Sequence, residues 1–125
     1  MRFFDLMKEY LANEGYRYDI DSDGDIHFKY EGVNLYFTDN GDDQSFFRII
    51  MPNIYEVENN REKVLEAVNA VCRDIKVVKA FLLRDSLWLA VEMFIDGTPD
   101  VGDFFSRCLG ALMAARKKAA EEIMG

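Results

Sequence analysis

Between Tyr16 and Thr38 the chain alternates apolar and polar residues with a period of two, broken only by short glycine-bearing turns. Alternation of this kind marks strands half-buried in a sheet. The joining segments are too short for a crossover, so consecutive strands have to run antiparallel. Strands are expected at Tyr16–Ile20, Asp25–Tyr30 and Val33–Thr38. Asp23-Gly24 and Glu31-Gly32 form the turns, with glycine tolerating the positive φ that tight hairpins require. Whatever follows must pack on this antiparallel sheet.

The first turn holds Asp21, Asp23 and Asp25 at alternate positions, as oxygen ligands stand at the start of an EF-hand. An EF-hand loop needs glycine at its sixth place and a bidentate glutamate at its twelfth. Counted from Asp21, those places hold Ile26 and Gly32, and the flanks have the strand period. The reading is a hairpin, with no metal and no cofactor expected.

Upstream, Phe3, Met7, Tyr10, Leu11 and Glu14 trace a helix face that Gly15 is placed to end. Beyond a third turn at "DNGDD", the run "SFFRIIMP" reads as a strand apolar on both faces except at Arg48, stopped by Pro52. Asn59 or Asn60 can cap a second helix, whose stripe is Val64, Leu65, Val68, Val71, Cys72 and Ile75. Strands at Val77–Leu83 and Leu87–Ile95 turn around Arg84-Asp85-Ser86. "GTPD" opens the last helix, with Asp100 as N-cap and a stripe of Phe104, Phe105, Cys108, Leu109, Leu112 and Met113. The alanine-rich tail beyond it either frames the fold or protrudes. The expected fold is α+β, a mainly antiparallel sheet with helices in the order α-β-β-β-β-α-β-β-α, in one domain over residues 1–125.

In "LWLAVEMFI", Leu87, Leu89, Val91 and Met93 make one wholly apolar face, while Trp88, Ala90 and Phe94 make another, broken by Glu92. Phe46, Arg48 and Ile50 repeat the second pattern, as do Lys79 and Phe81. A sheet apolar on both sides needs two coverings. A helix of the same chain or another chain can supply the second one. The expected protein-binding residues are Phe46, Arg48, Phe81, Trp88, Glu92 and Phe94, since aromatic and arginine anchors dominate protein contacts. The partner would be another polypeptide, and a homodimer is one way to cover the patch.

The 125 residues carry a net charge of −8, all of it in the first half: residues 1–60 hold 13 acids and 5 bases, and residues 61–125 hold 10 of each. Such a surface repels phosphate backbones, so no nucleic acid partner is expected. No apolar run approaches the ~20 residues of a membrane span. "MRFFDLMKEYL" has an acid at position 5 and a helical period, so it begins the fold; the expected compartment is the cytoplasm. Cys72 and Cys108 sit in apolar stripes without metal-ligand spacing and read as buried, reduced thiols. His27 is the single histidine, on the solvent side of a strand. Ser22, Ser45, Ser86 and Ser106 are isolated, and no phosphate-cradling glycine loop occurs. No catalytic residue is expected, and the chain does not read as an enzyme.

The segments "EGYRYDIDSDGDIHFKYEG", "FFRIIMPNIYEV", "KVVKAFLL" and "LWLAVEMFIDGTPDVGDFF", in this order and spacing, resemble YbjN-like proteins, a family of bacterial sensory transduction regulators with a fold similar to type III secretion chaperones. The resemblance runs from Phe3 to about Arg116. It implies a small acidic cytoplasmic module that binds another polypeptide, chaperone-like or regulatory, and can dimerise. Its motifs are strands and turns, so no functional residue is carried over, and the "DNGDD" turn with the strand pair before the second helix departs from it. The alternative is a small-molecule or ion sensor. A large apolar pocket between sheet and helices would favour the sensor; a flat apolar sheet face would favour the binder.

Overall fold

A computed structural model of the chain describes residues 2–95 and 100–125. In chain order its elements are α1 (Phe3–Asn13), β1 (Tyr18–Ile20), β2 (Ile26–Tyr30), β3 (Val33–Phe37), β4 (Phe46–Glu56), α2 (Arg61–Asp74), β5 (Val78–Leu83), β6 (Ser86–Phe94) and α3 (Val101–Met124). The strands form one six-stranded sheet in the order β1-β2-β3-β4-β6-β5. Every pairing in it is antiparallel. The expected α+β architecture and element order are those observed.

Local chemistry accounts for the ends of the elements. Helix α1 finishes with the N–H of Gly15 donating to the Ala12 carbonyl and that of Tyr16 donating to the Leu11 carbonyl. Gly15 takes φ +84°, as a Schellman ending requires. Its N-terminus is fastened from a distance, because the Phe3 N–H donates to Gln44 Oε1 at 2.7 Å. Glu31 and Gly32 both have positive φ, 50° and 79°, the signature of a two-residue primed turn. Asp100 caps α3 by accepting from the Gly102 N–H at 3.1 Å, while Gly97, Thr98 and Pro99 of the expected "GTPD" opening lie outside the described residues.

Ile26, Phe37, Ile49, Val91 and Val78 stand in one row across five strands, and all of them are buried. The helices pack on this side. Phe3 lies 5.6 Å from Phe37 and 5.8 Å from Phe47 between ring centroids, Phe105 lies 5.9 Å from Phe28, and Phe104 lies 5.2 Å from Phe47. Fully buried, as Phe28, Phe37, Phe47 and Phe105 are, such a ring stabilises the fold by about 1.5–3 kcal/mol.

Several boundaries differ from the expectation. Pro52 does not stop β4, which continues to Glu56. The pairing with β6 shifts between Met51 and Tyr55, so the proline sits in a bulge, where the missing N–H breaks no ladder bond. Tyr16 packs its ring on Phe28 and Phe105 instead of opening β1. Asn60 is the N-cap of α2 but does not bond its N-terminal amides; its side chain accepts from the Glu58 N–H and donates to the Tyr55 hydroxyl. Helix α2 buries Val64, Ala67, Ala70 and Val71, leaving Leu65 and Cys72 exposed. Small side chains face inward because α2 lies against both α3 and β5. The tail does not protrude: Ala115, Ala119 and Ile123 are buried, and Lys118 Nζ reaches Asp74 Oδ2 at 3.2 Å.

The two cysteines therefore differ, and only Cys108 is buried as expected. Cys72 lies on the outer side of β5, which has no further strand beside it among the described residues. The Ala80 N–H donates to Cys72 Sγ at 3.3 Å, and the thiol lies 3.6 Å from the Ala80 carbonyl. It gives partners to backbone groups that the sheet edge leaves free. Burial pushes the Cys108 thiol up to about 11.

His27 ties the three N-terminal strands together. Its Nδ1 is 2.9 Å from Asp19 Oδ1 on β1 and its Nε2 is 2.8 Å from Asn34 Oδ1 on β3. The ring stacks on Tyr36 at 4.9 Å. Both nitrogens face oxygens, an arrangement that the imidazolium alone satisfies by donating twice. The bond to Asn34, then that to Asp19, raises the His27 pKa above its ordinary value.

Two outcomes are expected from this packing. A thiol reagent at neutral pH should label Cys72 quickly and Cys108 only on unfolding; Cys108→Ser should destabilise by about 1–3 kcal/mol and Cys72→Ser by about 0.5 kcal/mol or less. Rapid double labelling of the native protein would contradict the structure. For His27, a raised folded pKa means stabilisation that is complete below the ordinary value of 6.5 and lost as pH rises through the raised one. Melting curves should show wild type losing its advantage over His27→Gln between roughly pH 6 and pH 8, and a pH-independent difference would refute the clasp.

Candidate functional site

The row next to the core row runs Asp19, His27, Tyr36, Ile50, Ala90, Lys79 across all six strands. Its side chains lie on the face opposite the helices, because adjacent residues of a strand alternate sides. No described element packs over this face: the helix–sheet ring contacts all go to Phe28, Phe37 and Phe47, on the other side. The question left open by the two apolar patterns of β4 and β6 is thus resolved within the chain. Its own helices cover one face only.

The six residues expected to bind protein all lie on this open face. Phe46 pairs with Phe94, Arg48 with Glu92, and Phe81 with Trp88. Phe94 is 79% exposed, the most exposed large apolar residue among the described residues. It rests against Phe46 at 5.8 Å, while Phe81 and Trp88 stand 6.2 Å apart at the other end. From Trp88 to Phe94 the strand spans roughly 20 Å. The Trp88 indole N–H is shielded and has no acceptor among the described residues.

Between the two aromatic pairs sits a charge cluster. Arg48 Nε meets Glu92 Oε2 at 2.8 Å, and Lys79 Nζ meets Glu92 Oε1 at 3.0 Å. Lys79 also lies over the Phe81 ring at 5.3 Å. One carboxylate is held between cations from the two flanking strands, so the centre of the face carries a net positive charge in a chain of −8. Part-exposed pairs of this sort add about 1 kcal/mol or less to stability; they do more to fix geometry. Ile50 and Lys79, read on this face from the sequence pattern but left out of the six, are members of it, and Tyr36, which was not anticipated there, joins them. Parity with Phe37, Ile49 and Val78 identifies all three once the register is known.

The acidic turns stand apart from this patch. Asp21, Asp23 and Asp25 each place a carboxylate oxygen within 4.8 Å of the others. Asp21 Oδ1 accepts from the N–H groups of Asp23 and Asp25, both at 2.9 Å, so it builds the hairpin turn. Burial, chiefly, raises the Asp25 pKa, and its Oδ1 receives the Asp39 N–H at 2.8 Å. The two acidic loops are thereby fastened together.

Sequence patterns gave no sign of a groove on the helix side. It lies between the C-terminal half of α3 and the end of β4, has a volume of about 620 Å³, and is walled by Ile54, Tyr55, Met113 and Ala120 with Arg116 and Lys117 beside them.

Comparison with known proteins agrees with this architecture. Residues 4–102 match the family model YbjN, described as "Putative bacterial sensory transduction regulator". No curated protein matches significantly. Among solved structures, an uncharacterized protein from Methanothermobacter thermautotrophicus aligns with a TM-score of 0.71 at 14% identity, covering 96% of this chain and 95% of that one. YbjN from E. coli, described as "a putative transcription regulator", aligns at 0.65 with 14% identity, over 94% and 88% of the two chains. The Yersinia pestis type III secretion chaperone SycH, solved in complex with a stable fragment of YscM2, aligns at 0.64 with 12% identity, over 94% and 98%. At these identities the structural likenesses establish the fold. The family match covers most of the sequence, and by it the chain belongs to the YbjN family.

Proposed function

We propose that the protein is a non-catalytic polypeptide-binding module, chaperone-like or regulatory, acting in the cytoplasm through its open sheet face. The observation that carries this is Phe94 at 79% exposure beside Phe46, on an apolar face that no helix among the described residues covers. Aromatic residues and arginine desolvate much area with few rotors, which suits Phe46, Phe81, Trp88 and Phe94 as anchors around Arg48. The central Glu92, held by Arg48 and Lys79, sets register and rejects partners that would leave those charges unpaired. The acidic loop Asp39–Asp43 precedes β4 close to the Phe46–Phe94 end and favours a partner with basic residues flanking its apolar segment. Nucleic acid fits poorly for the same reason. A fold shared with a chaperone solved on a protein fragment supports a polypeptide as partner. His27, the single histidine, is engaged by Asp19, Asn34 and Tyr36, which suits a role in holding the strands together. No helix among the described residues is long and apolar enough to cross a membrane.

A second copy of the chain is the simplest cover when no partner is present. The chain exposes 7394 Å², against roughly 6900 Å² for a compact monomer of its mass. A second reading, a small-molecule sensor, is favoured by the 620 Å³ groove between α3 and the sheet.

Phe94→Asp should leave the melting temperature nearly unchanged, since an exposed strand-end residue contributes about 0.5 kcal/mol or less, and should abolish retention of the partner recovered with wild type from its native cell. Equal retention by the folded variant would exclude this face. In sedimentation at micromolar concentration the wild type should form a dimer and Phe94→Asp a monomer. A wild-type protein that is monomeric throughout would remove the self-pairing.

A further inference from the structure

The groove between α3 and the end of β4 carries more than its volume. We infer that it binds a free single-chain amphipathic anion, a carboxylate with a tail of about a dozen methylenes; the inference rests on the sensor reading of that groove and is independent of the sheet face. Ile54 within the β4 bulge and Tyr55 just after it form one wall, and Met113 and Ala120 of α3 line the groove with them. At about 620 Å³ the space falls within the range of small-molecule sites. Alanine at 119 and 120 keeps it open, and the unbranched Met113 and Met124 adapt their shape to a chain laid along them. The lining from Met113 to Met124 covers roughly 16 Å of helix, which matches such a tail.

Charge selects the head. Arg116 and Lys117 line the groove with no acid among the lining residues, in a chain whose net charge is −8. Among the described residues Arg116 makes no ion pair, and Lys117 has Glu121 alone, at 4.0 Å. A guanidinium free of partners offers a carboxylate two parallel hydrogen bonds. The walls, by contrast, are poor company for a peptide. The Tyr55 hydroxyl already accepts from Asn60 at 2.8 Å, and Ile54, Met113 and Ala120 have no polar side-chain atoms, so peptide groups laid there would lose water without compensation. An alkyl chain has no such requirement. An anionic bilayer would meet the acidic surface of the chain, so the occupant arrives as a free monomer.

The test is calorimetric titration of the intact protein with sodium laurate below its micellar concentration, beside dodecyltrimethylammonium and dodecyl maltoside, which share the tail but carry cationic and neutral heads. Laurate should bind in the micromolar range and at least tenfold more tightly than the cation. Amide resonances of Ile54, Tyr55 and the last turns of α3 should shift. The double variant Arg116→Glu, Lys117→Glu should weaken laurate at least tenfold at an unchanged melting temperature, and Ala120→Trp should block it. Equal affinity for laurate and the cation, or an unaffected double variant, would overturn the anion while leaving a small-molecule groove in place. Failure of all three amphiphiles, or shifts confined to the open sheet face, would overturn both. Occupation by an acidic amphipathic peptide but not by laurate would likewise refute the proposal.

Discussion

The register of β4 against β6 decides what is core and what is surface. The pairing joins the meander β1 to β4 with the β5–β6 hairpin, segments brought together across about forty residues of chain. Phe47, Ile49 and Met51 turn inward opposite Met93, Val91 and Leu89. Their neighbours Phe46, Arg48 and Ile50 turn outward opposite Phe94, Glu92 and Ala90. A slip of one residue would exchange the two sets. Both sets are largely apolar, so hydrophobic burial alone discriminates weakly between the registers. Arg48 and Glu92 supply the discrimination. In the slipped register one of them would enter the core without the other, and a buried uncompensated charge is strongly destabilising. The pair adds little to stability where it stands and excludes the alternative.

Once that register is set, the helices have one place to go. Helix α1 precedes β1, α2 bridges β4 and β5, and α3 follows β6, and all bury their apolar residues on the Ile26–Phe37–Ile49–Val91 side. Helix α3 lies against α1, α2, β5 and β6, which makes its Phe105, Cys108, Leu109 and Leu112 the centre of the core. Helix α2 also closes the β5 edge through Cys72, while the opposite edge, β1, is three residues long and carries an aspartate. Both edges are thereby made poor templates for further strands.

Much of this was legible in the sequence because it depends on parity and turn chemistry. Period-two runs and the glycines at 15, 24 and 32 placed α1 and the first hairpins, and the parity of "LWLAVEMFI" separated the two faces of β6 before any register was known. Parity cannot say which face the helices choose when both are apolar, so the covering of the second face stayed open. Pro52 misled because a proline that ends a regular strand is tolerated in a bulge, and bulges depend on the partner strand. Cys72 looked buried because it follows Val71 on the helix. Its environment is set instead by the β5 edge, from a part of the chain that helix periodicity does not see. The groove was illegible for a related reason: Ile54 and Arg116 are brought together by packing alone.

The bulge explains how one strand can serve two opposite surfaces. Between Met51↔Leu89 and Tyr55↔Leu87, β4 advances four residues while β6 advances two. One extra residue would have reversed parity, sending Tyr55 to the open face and Glu56 toward the helices. Two extra residues preserve it, with Asn53 absorbing the turn at φ +54° and accepting the Ser86 hydroxyl at 2.7 Å. Tyr55 therefore stays on the helix side opposite the buried Leu87, where it walls the groove, and Glu56 stays opposite Ser86. The regular part of β4 builds the aromatic and charged face, and the part beyond the bulge builds the groove. A change confined to the bulge, such as deletion of a single residue from it, would have to disturb the groove through Tyr55 before it reached Arg48 and Phe46, because the register from Phe46 to Met51 is held independently by β6.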